Sequence, residues 1–508
     1  MKKNEIKLGA ILSYLIIVLN MVIGIVYTPI LTTKLGQSEY GLYSLVSTII
    51  SYLTVLDFGF GNAIIIYTSR YIAKKEKQKE QKLHGMFLII YSVIGLIAGI
   101  IGVILTINVD NLFHTTMSQQ ELHKARILMS ILTLNLVATF PLSIFSSIIT
   151  AYEKFIFAKI LNILRIILNP IIMIILLDLG YKSIALVVLI TILNLATLII
   201  NSMYCKIKLK IKLKFSGIDT ILLQEIMAYS VWVFLNSIMD KINWNIDQFI
   251  LGIVSGTVVV AIYSIASQLS QMYLNFSTAI AGVLLPKITQ MEARNASDEE
   301  FTEIFIKTGR IQYLVLALIM TGFILFGREF INIIWVGPAY EQAYQIACIL
   351  MIPLTIPLIQ NVGLNIIQAK NQYQYRVKVL IVFAIINLIV SIVWAKMFGA
   401  IGAAFGTALS VTLGQIIFMN VFYYKKTHIN MIEFWKQIAK MSIPILAVVA
   451  ISFGIKKIIP ANTVYKILVE MIFFTIIYGI AVWRFAMNDY EKKLLKKPIC
   501  KILRKIRG

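Results

Sequence analysis

The chain is predicted to be an all-α polytopic membrane protein of about fourteen transmembrane helices. They would form two pseudo-symmetric six-helix halves followed by two further helices. Three observations carry that prediction. Apolar residues fill 59% of the 508 positions and mean hydropathy is +0.84, beyond the apolar share of a soluble domain. Apolar runs of about 18 residues or more, each enough to cross about 30 Å of hydrocarbon, recur along the whole length between short polar breaks. The second half also repeats the first at an offset of about 216–220 residues. Gly41-Leu42-Tyr43-Ser44-Leu45-Val46-Ser47 returns as Ala261-Ile262-Tyr263-Ser264-Ile265-Ala266-Ser267, and Leu35-Gly36 as Leu251-Gly252. Pro141-Leu142 pairs with Pro357-Leu358, Ala151 with Ala369, Asn169 with Asn387 and Gly180 with Gly399. A duplicated multi-helix unit places a substrate naturally between its halves, with rocking of one against the other giving alternating access.

Taken in order, the first half is expected to span at about 9–31, 42–66, 85–107, 126–150, 159–178 and 183–203. The second is expected at 228–251, 258–284, 311–334, 345–367, 379–397 and 401–423, with the last two helices at 440–459 and 464–484. The domains are then 1–224, a six-helix lobe with its basic linker; 225–430, the second lobe; and 431–508, two helices with a basic tail. The N-terminal run is longer than a signal-peptide core and no small-x-small site closes it, so it reads as an uncleaved first span.

The formal charge of +23 is first a topology signal. Placing both termini inside puts about 36 of the 47 basic residues on the cytoplasmic side, among them Lys2, Lys3, Lys7, the 70–82 cluster, Lys206, Lys208, Lys210, Lys212, Lys214, Lys287, Arg294, Lys425, Lys426 and the C-terminal tail. An even number of spans with both ends inside follows. The interleaved lysines at 206–214 beside a bilayer pair more simply with anionic lipid headgroups than with nucleic acid. Cys205, Cys348 and Cys500 share no metal-ligand spacing, and the four histidines, His84, His114, His123 and His428, are expected in loops. No phosphate-cradling Gly-x-x-x-x-Gly-Lys-Ser/Thr loop occurs, which argues against direct ATP use. Connections are too short for a soluble catalytic domain. No enzyme activity, cofactor or metal is expected, and the chain is expected to act as a monomer.

Ionisable groups in hydrocarbon cost several kcal/mol unless they face protein or water, so each is a candidate functional residue. The seventh span is the richest. Asp240, Trp244 and Asp247 share a helical stripe, Lys241 and Asn245 form an adjacent i, i+4 pair, and Asn243 lies beside Asp247. Asp240 or Asp247 could bind a coupling proton or Na⁺, with Asn243 or Asn245 completing an oxygen shell, while Lys241 could attract a phosphate. The structural alternative is an Asp–Lys pair that locks helix packing. Arg165 stands in the fifth span one turn before Asn169-Pro170, where it is either an anion clamp or a side chain snorkelling to the surface. Asp57-Phe58-Gly59-Phe60-Gly61 is either a hinge, built on Asp57, Gly59 and Gly61, or a packing notch. Gln268, Gln271, Asn361 and Asn365 could hydrogen-bond sugar hydroxyls or glue helices together.

The stretch Leu35-Gly36 with Tyr40-Gly41-Leu42-Tyr43, the Asp57–Gly61 element followed by Tyr67, Arg70 and Tyr71, Asn245-x-Asp247 with Tyr263, Leu285-Pro286-Lys287-Ile288-Thr289, and Asn387 through Gly399-Ala400-Ile401-Gly402 resemble the bacterial polysaccharide-exporter family. These are the Wzx-type flippases, in the superfamily that also holds MATE drug exporters and lipid II flippases. The resemblance implies a MATE-like inverted V of two six-helix lobes plus two helices. It implies a carrier of undecaprenyl-diphosphate-linked oligosaccharide, working beside membrane lipids and a polysaccharide polymerase. Relatives carry several cavity arginines, whereas this chain offers chiefly Arg165 and Lys241, with Arg70 and Arg376 near helix ends. The alternatives are a MATE-like cation-coupled exporter, which would want acidic groups without competing cations, and a lipid II or teichoic-acid-type flippase.

Overall fold

The computed structural model describes residues 2–215, 219–370, 372–458 and 463–494, and among these it is helical throughout with no strand. The helices are α1 (Lys2–Leu35), α2 (Gln37–Leu53), α3 (Phe60–Lys74), α4 (Lys77–Ile107), the short α5 (Val109–Phe113), α6 (Gln119–Ala151), α7 (Phe155–Asp178) and α8 (Ser183–Ile207). They continue as α9 (Thr220–Val254), α10 (Thr257–Ala293), α11 (Asp298–Glu329), α12 (Gln342–Ile359), α13 (Val362–Ala369), α14 (Tyr373–Ser410), α15 (Met419–Lys425), α16 (Met431–Ile458) and α17 (Val464–Ala481).

Among the described residues, twelve helical stretches are long and apolar enough to cross a membrane, against the fourteen expected of the whole chain. Helix α9 is 35 residues long, but several of its residues lie outside those described, so it is not counted. The 52-residue stretch Gln374–Lys425 counts once although it far exceeds a bilayer thickness. Gly399 interrupts it at φ 59°, a conformation only glycine adopts cheaply. Around that break the chain doubles back, with the Ser391 hydroxyl donating to the Ala403 carbonyl.

Other boundaries moved as well. The second span is not continuous: after α2 comes a tight turn of 3₁₀ helix at Thr54–Asp57, then Phe58 and Gly59 at φ 53° and 71°, before α3 begins. The tenth is split between α12 and α13 at Gln360-Asn361, just after Pro357. The repeat places Gly36 opposite Gly256 rather than Gly252, for both take a left-handed φ, 80° and 85°, between consecutive helices. Gly252 has another task, yielding to the Leu45 side chain. His84 and His123 lie inside α4 and α6 instead of in loops, because both helices run past their apolar cores. His84 is fully buried, its Nε2 3.0 Å from the Thr68 hydroxyl.

The chain packs as two compact units, 1–264 with 391–403, and 265–390 with 404–508. In the first, α6 is the central helix, in contact with α2, α3, α4 and α8, and α7 packs on α1. A capping box starts α6: the Ser118 hydroxyl accepts from the Glu121 amide while the Glu121 carboxylate accepts from the Ser118 amide. The same carboxylate accepts from the Ser38 hydroxyl at 2.6 Å and the Thr257 hydroxyl at 2.8 Å. Beside it the backbones of α2 and α10 meet at Gly41, where a Cβ would lie 1.8 Å from the Thr257 carbonyl oxygen. The repeated Gly41-Leu42-Tyr43 motif is thus a helix crossing that admits no side chain.

In the second unit α11, α16 and α17 enclose a core that includes Leu325, Phe326, Met441, Ile445, Phe474 and Tyr478. It is locked at one end by a buried ion pair that the sequence reading missed. Arg310 donates to both Glu491 oxygens, at 2.6 and 2.9 Å, and also to Gln437 and the Ala486 carbonyl. Removing one partner would strand the other charge in a dry interior, at a cost of about 3–5 kcal/mol.

A cation-lined cavity in the first half

Helix α7 reads Phe-Ile-Phe-Ala-Lys-Ile-Leu-Asn-Ile-Leu-Arg-Ile-Ile-Leu-Asn-Pro from Phe155. Lys159, Asn162, Arg165 and Asn169 recur every three or four residues, so they share one stripe of an otherwise apolar helix. Pro170 has no N–H to offer the Ile166 carbonyl, which adds an acceptor to that stripe. The stripe borders two adjoining cavities, of about 540 and 680 Å³, which share Arg165 and Asn194 as lining residues. Both fall within the size range of small-molecule sites.

The larger cavity lies toward the start of α7. It is lined there by Lys159 and Asn162, by Ser143, Ser146 and Thr150 of α6, and by Asn201 of α8. The smaller lies toward the other end of the helix and gathers Tyr43, Ser47 and Ser51 from α2, Thr54 from the turn after it, Asn20 and Tyr27 from α1, and Asn135 and Thr139 from α6. Where they meet, the Arg165 Nη1 donates to Asn194 Oδ1 at 3.1 Å, and the Asn194 amide donates to Asn135 and Thr139, both at 2.9 Å. That network fixes one edge of the guanidinium and leaves further donors on the other. Three buried polar atoms of lining residues have no hydrogen-bond partner among the described residues: Tyr27 Oη, Asn169 Oδ1 and Asn201 Oδ1. Among the described residues the two cavities therefore offer two cations, many hydroxyls and amides, and no carboxylate. Such a set complements an anion that also carries hydroxyls.

Of the residues singled out from sequence, Arg165 lies at the centre of this site, half-buried, with Asn169 one turn on. Asp247 is buried and accepts a hydrogen bond from the Tyr263 hydroxyl, while its neighbour Gln248 accepts one from Thr48. This face of α9 is a polar seam against α2 and α10. Lys241, Asn243 and Asn245 are half-buried on the same helix, and the Asp240 side chain lies outside the described residues. Asp57 accepts from the Tyr91 hydroxyl at 2.6 Å and from the Gly59 and Gly61 amides, inside the turn that separates α2 from α3. Asn361 donates to the Ser277 hydroxyl at 3.2 Å, a helix-to-helix contact. Gln268 and Asn365 are half-buried and Gln271 is exposed.

The sequence reading missed Lys159, Asn162, Asn194, Asn135, Thr139, Tyr27 and the hydroxyls of α2. A signal existed. Ser47, Ser51 and Thr54, Asn135 and Thr139, and Asn162, Arg165 and Asn169 each recur at helical spacing within an apolar run. Weighing only ionisable groups passed over them.

Comparison with known proteins agrees with this architecture. The solved structure of "Lipid II flippase MurJ, inward closed conformation" superposes with a TM-score of 0.73 at 16% identity, covering 94% of this chain and 98% of that one. An inward-facing multidrug resistance MATE family transporter of the MOP superfamily gives 0.60 at 15%, covering 81% and 99%. These are likenesses of fold. Among curated sequences, the chain is 21% identical over 255 residues to the "Probable low-salt glycan biosynthesis flippase Agl15" of Haloferax volcanii, covering 50% of this chain and 53% of that protein. It is 27% identical over 179 residues to the "Probable flippase AglR" of the same organism, covering 34% and 37%. The chain thus spans about half the length, or less, of the curated relatives it matches. The pattern of one family, described as "Polysaccharide biosynthesis protein", matches residues 6–292, the stretch that holds both the repeated crossing at Gly41 and the Arg165 cavity. A multi-pass helical membrane protein with this fold, it belongs to the polysaccharide biosynthesis protein family.

Proposed function

We propose that the protein is a flippase that carries undecaprenyl-diphosphate-linked oligosaccharide from the inner to the outer leaflet of a bacterial cytoplasmic membrane, by alternating access. The observation that carries this reading is the Arg165 cavity, where, among the described residues, two cations stand among hydroxyls and amides with no carboxylate. A diphosphate with attached sugars cannot cross hydrocarbon bare. Arg165 keeps its charge where water is scarce and engages phosphate oxygens through its free donors. Asn169, Asn201 and Tyr27 supply the partners that sugar hydroxyls need. The prenyl tail stays in lipid, and no covalent bond is made or broken. Coupling to a proton or Na⁺ gradient would fall to the polar run of α9, Asp240, Asn243, Asn245 and Asp247, and a polysaccharide polymerase would take the product. A MATE-like exporter of organic cations is disfavoured because Lys159 and Arg165 would repel its cargo.

The test is reconstitution in proteoliposomes with a short-chain polyprenyl-diphosphate oligosaccharide, followed by the rate at which the sugar becomes accessible on the opposite leaflet. Arg165→Gln should slow flipping about 100-fold, the loss of one charge-assisted pair of hydrogen bonds, with unchanged membrane abundance. Lipid flipping by the parent at the protein-free rate would sink the proposal, and so would full activity of Arg165→Gln.

A further inference from the structure

The segment that joins α8 to α9 is a built surface. Beyond Ile207 the chain turns through Lys208 and through Lys210 at φ 52°, then runs on without regular structure to Phe215, with Leu209, Ile211 and Leu213 half-buried and Lys206, Lys208, Lys210, Lys212 and Lys214 all exposed. Apolar and basic residues thus alternate, the apolar set turned inward and the lysines to the surface. Two backbone bonds hold it, Ile211 N–H to the Cys205 carbonyl at 3.1 Å and Lys214 N–H to the Gln81 carbonyl at 3.0 Å. Its landing place is Gly85 on α4, where a Cβ would sit 2.3 Å from the Lys214 carbonyl oxygen. The landing brings Lys214, the far end of the row, to the first turns of α4, where Lys77, Lys79 and Lys82 are exposed. None of the five makes an ion pair among the described residues. At the two ends of the segment stand exposed apolar side chains, Ile207 at 61% and Phe215 at 62% exposure.

We infer that residues 206–215 form a docked strap that binds the headgroups of anionic phospholipids, its lysines on the phosphates and its Ile207 and Phe215 dipping between the acyl chains. The combination selects a lipid surface over an acidic soluble partner, because exposed apolar anchors flanking lysines match the boundary between headgroup and chain. It is distinct from the retention of basic residues on one side of the membrane. That rule counts charges and is indifferent to their being locked in one row. The strap proposal does not depend on what the Arg165 cavity carries.

The test uses the full chain in bilayers containing spin-labelled phosphatidylglycerol or phosphatidylcholine as trace probes, reading the motionally restricted fraction by electron paramagnetic resonance. The parent should prefer the anionic probe by about fivefold or more, in line with surface lysines near a charged headgroup. Replacing all five strap lysines by Gln should bring the preference close to parity. Gly85→Val retains every charge but evicts the strap, and should lose most of the preference. Where that variant does not fold by circular dichroism, Leu209→Ser with Leu213→Ser undocks the strap from its apolar side instead. Preference surviving in the five-Gln variant overturns the proposal. Parent-level preference in a folded undocked variant also overturns it, because the charges would then act without the strap.

Discussion

The two halves of the repeat carry different chemistry on the same helical template. In the first, Arg165 lies one turn before Asn169, and the two helices α7 and α8 turn about Gly180 at φ 88°. In the second, the corresponding positions are Phe383, Asn387 and Gly399, and the turn is again left-handed. There the resemblance ends. Arg165 and Asn194 border open space, whereas Phe383 packs against Gly414 and Phe418, and Asn387 is buried, accepting from the Thr407 hydroxyl at 3.2 Å. The next pair tells the same story. Tyr27 and Tyr43 line the cavity, while their counterparts at an offset of 220, Asp247 and Tyr263, bond to each other in a packed seam. Duplication therefore preserved turns and crossings, which any lobe needs, and left the polar groups free to diverge.

That contrast can be broken by exchanging residues between the halves. The largest effect is expected from Arg165→Phe, which writes the second half's residue into the first. Flipping should fall by about 100-fold or more as the anion partner is lost and the ring fills the cavity. Arg165→Lys should keep part of the rate, since charge remains while the paired donors do not. Next is Gly41→Ala, which copies Ala261. A methyl group cannot fit 1.8 Å from a carbonyl oxygen, so α2 must leave α10. Thermal unfolding should drop by an amount reflecting about 3 kcal/mol or more. Gly61→Ala, whose Cβ would meet nothing nearer than 3.4 Å, serves as the mild control.

Asp247→Asn addresses the seam. If this carboxylate carries the coupling ion, flipping in proteoliposomes becomes independent of an imposed proton or Na⁺ gradient. If it only packs, gradient dependence is unchanged and stability falls by about 1–2 kcal/mol as a charge-assisted bond weakens. The smallest effect is expected for Phe383→Ala. It should cost about 1–3 kcal/mol of stability at this half-buried position and leave the rate per folded molecule intact. A large fall in that rate would show that the second half takes part in transport as the first does.

Much of the architecture was legible because hydrophobic length and repetition are local properties of the chain. Spans announce themselves wherever about 18 apolar residues adjoin, and Gly180 and Gly399 mark turns because their φ is available to no other residue at so small a cost. The 3₁₀ turn at Thr54–Asp57 gave less warning. Its sequence is apolar enough to read as continuous helix, and only the hydrogen bond from Tyr91 to Asp57, 34 residues apart, shows what holds it.

The sequence by itself determined the class, the repeat and the presence of a cation in the fifth span. Tertiary structure decided which polar residues share a space. Arg165, Asn194, Asn135 and Tyr27 come from four helices, and nothing in any one of those segments shows that their faces converge. The same holds for Asp247, whose burial and hydrogen bond from Tyr263 follow from how α9 packs on α10. Helical period tells which residues lie on one face of one helix. Only packing says which faces meet and whether the space between them is filled or wet.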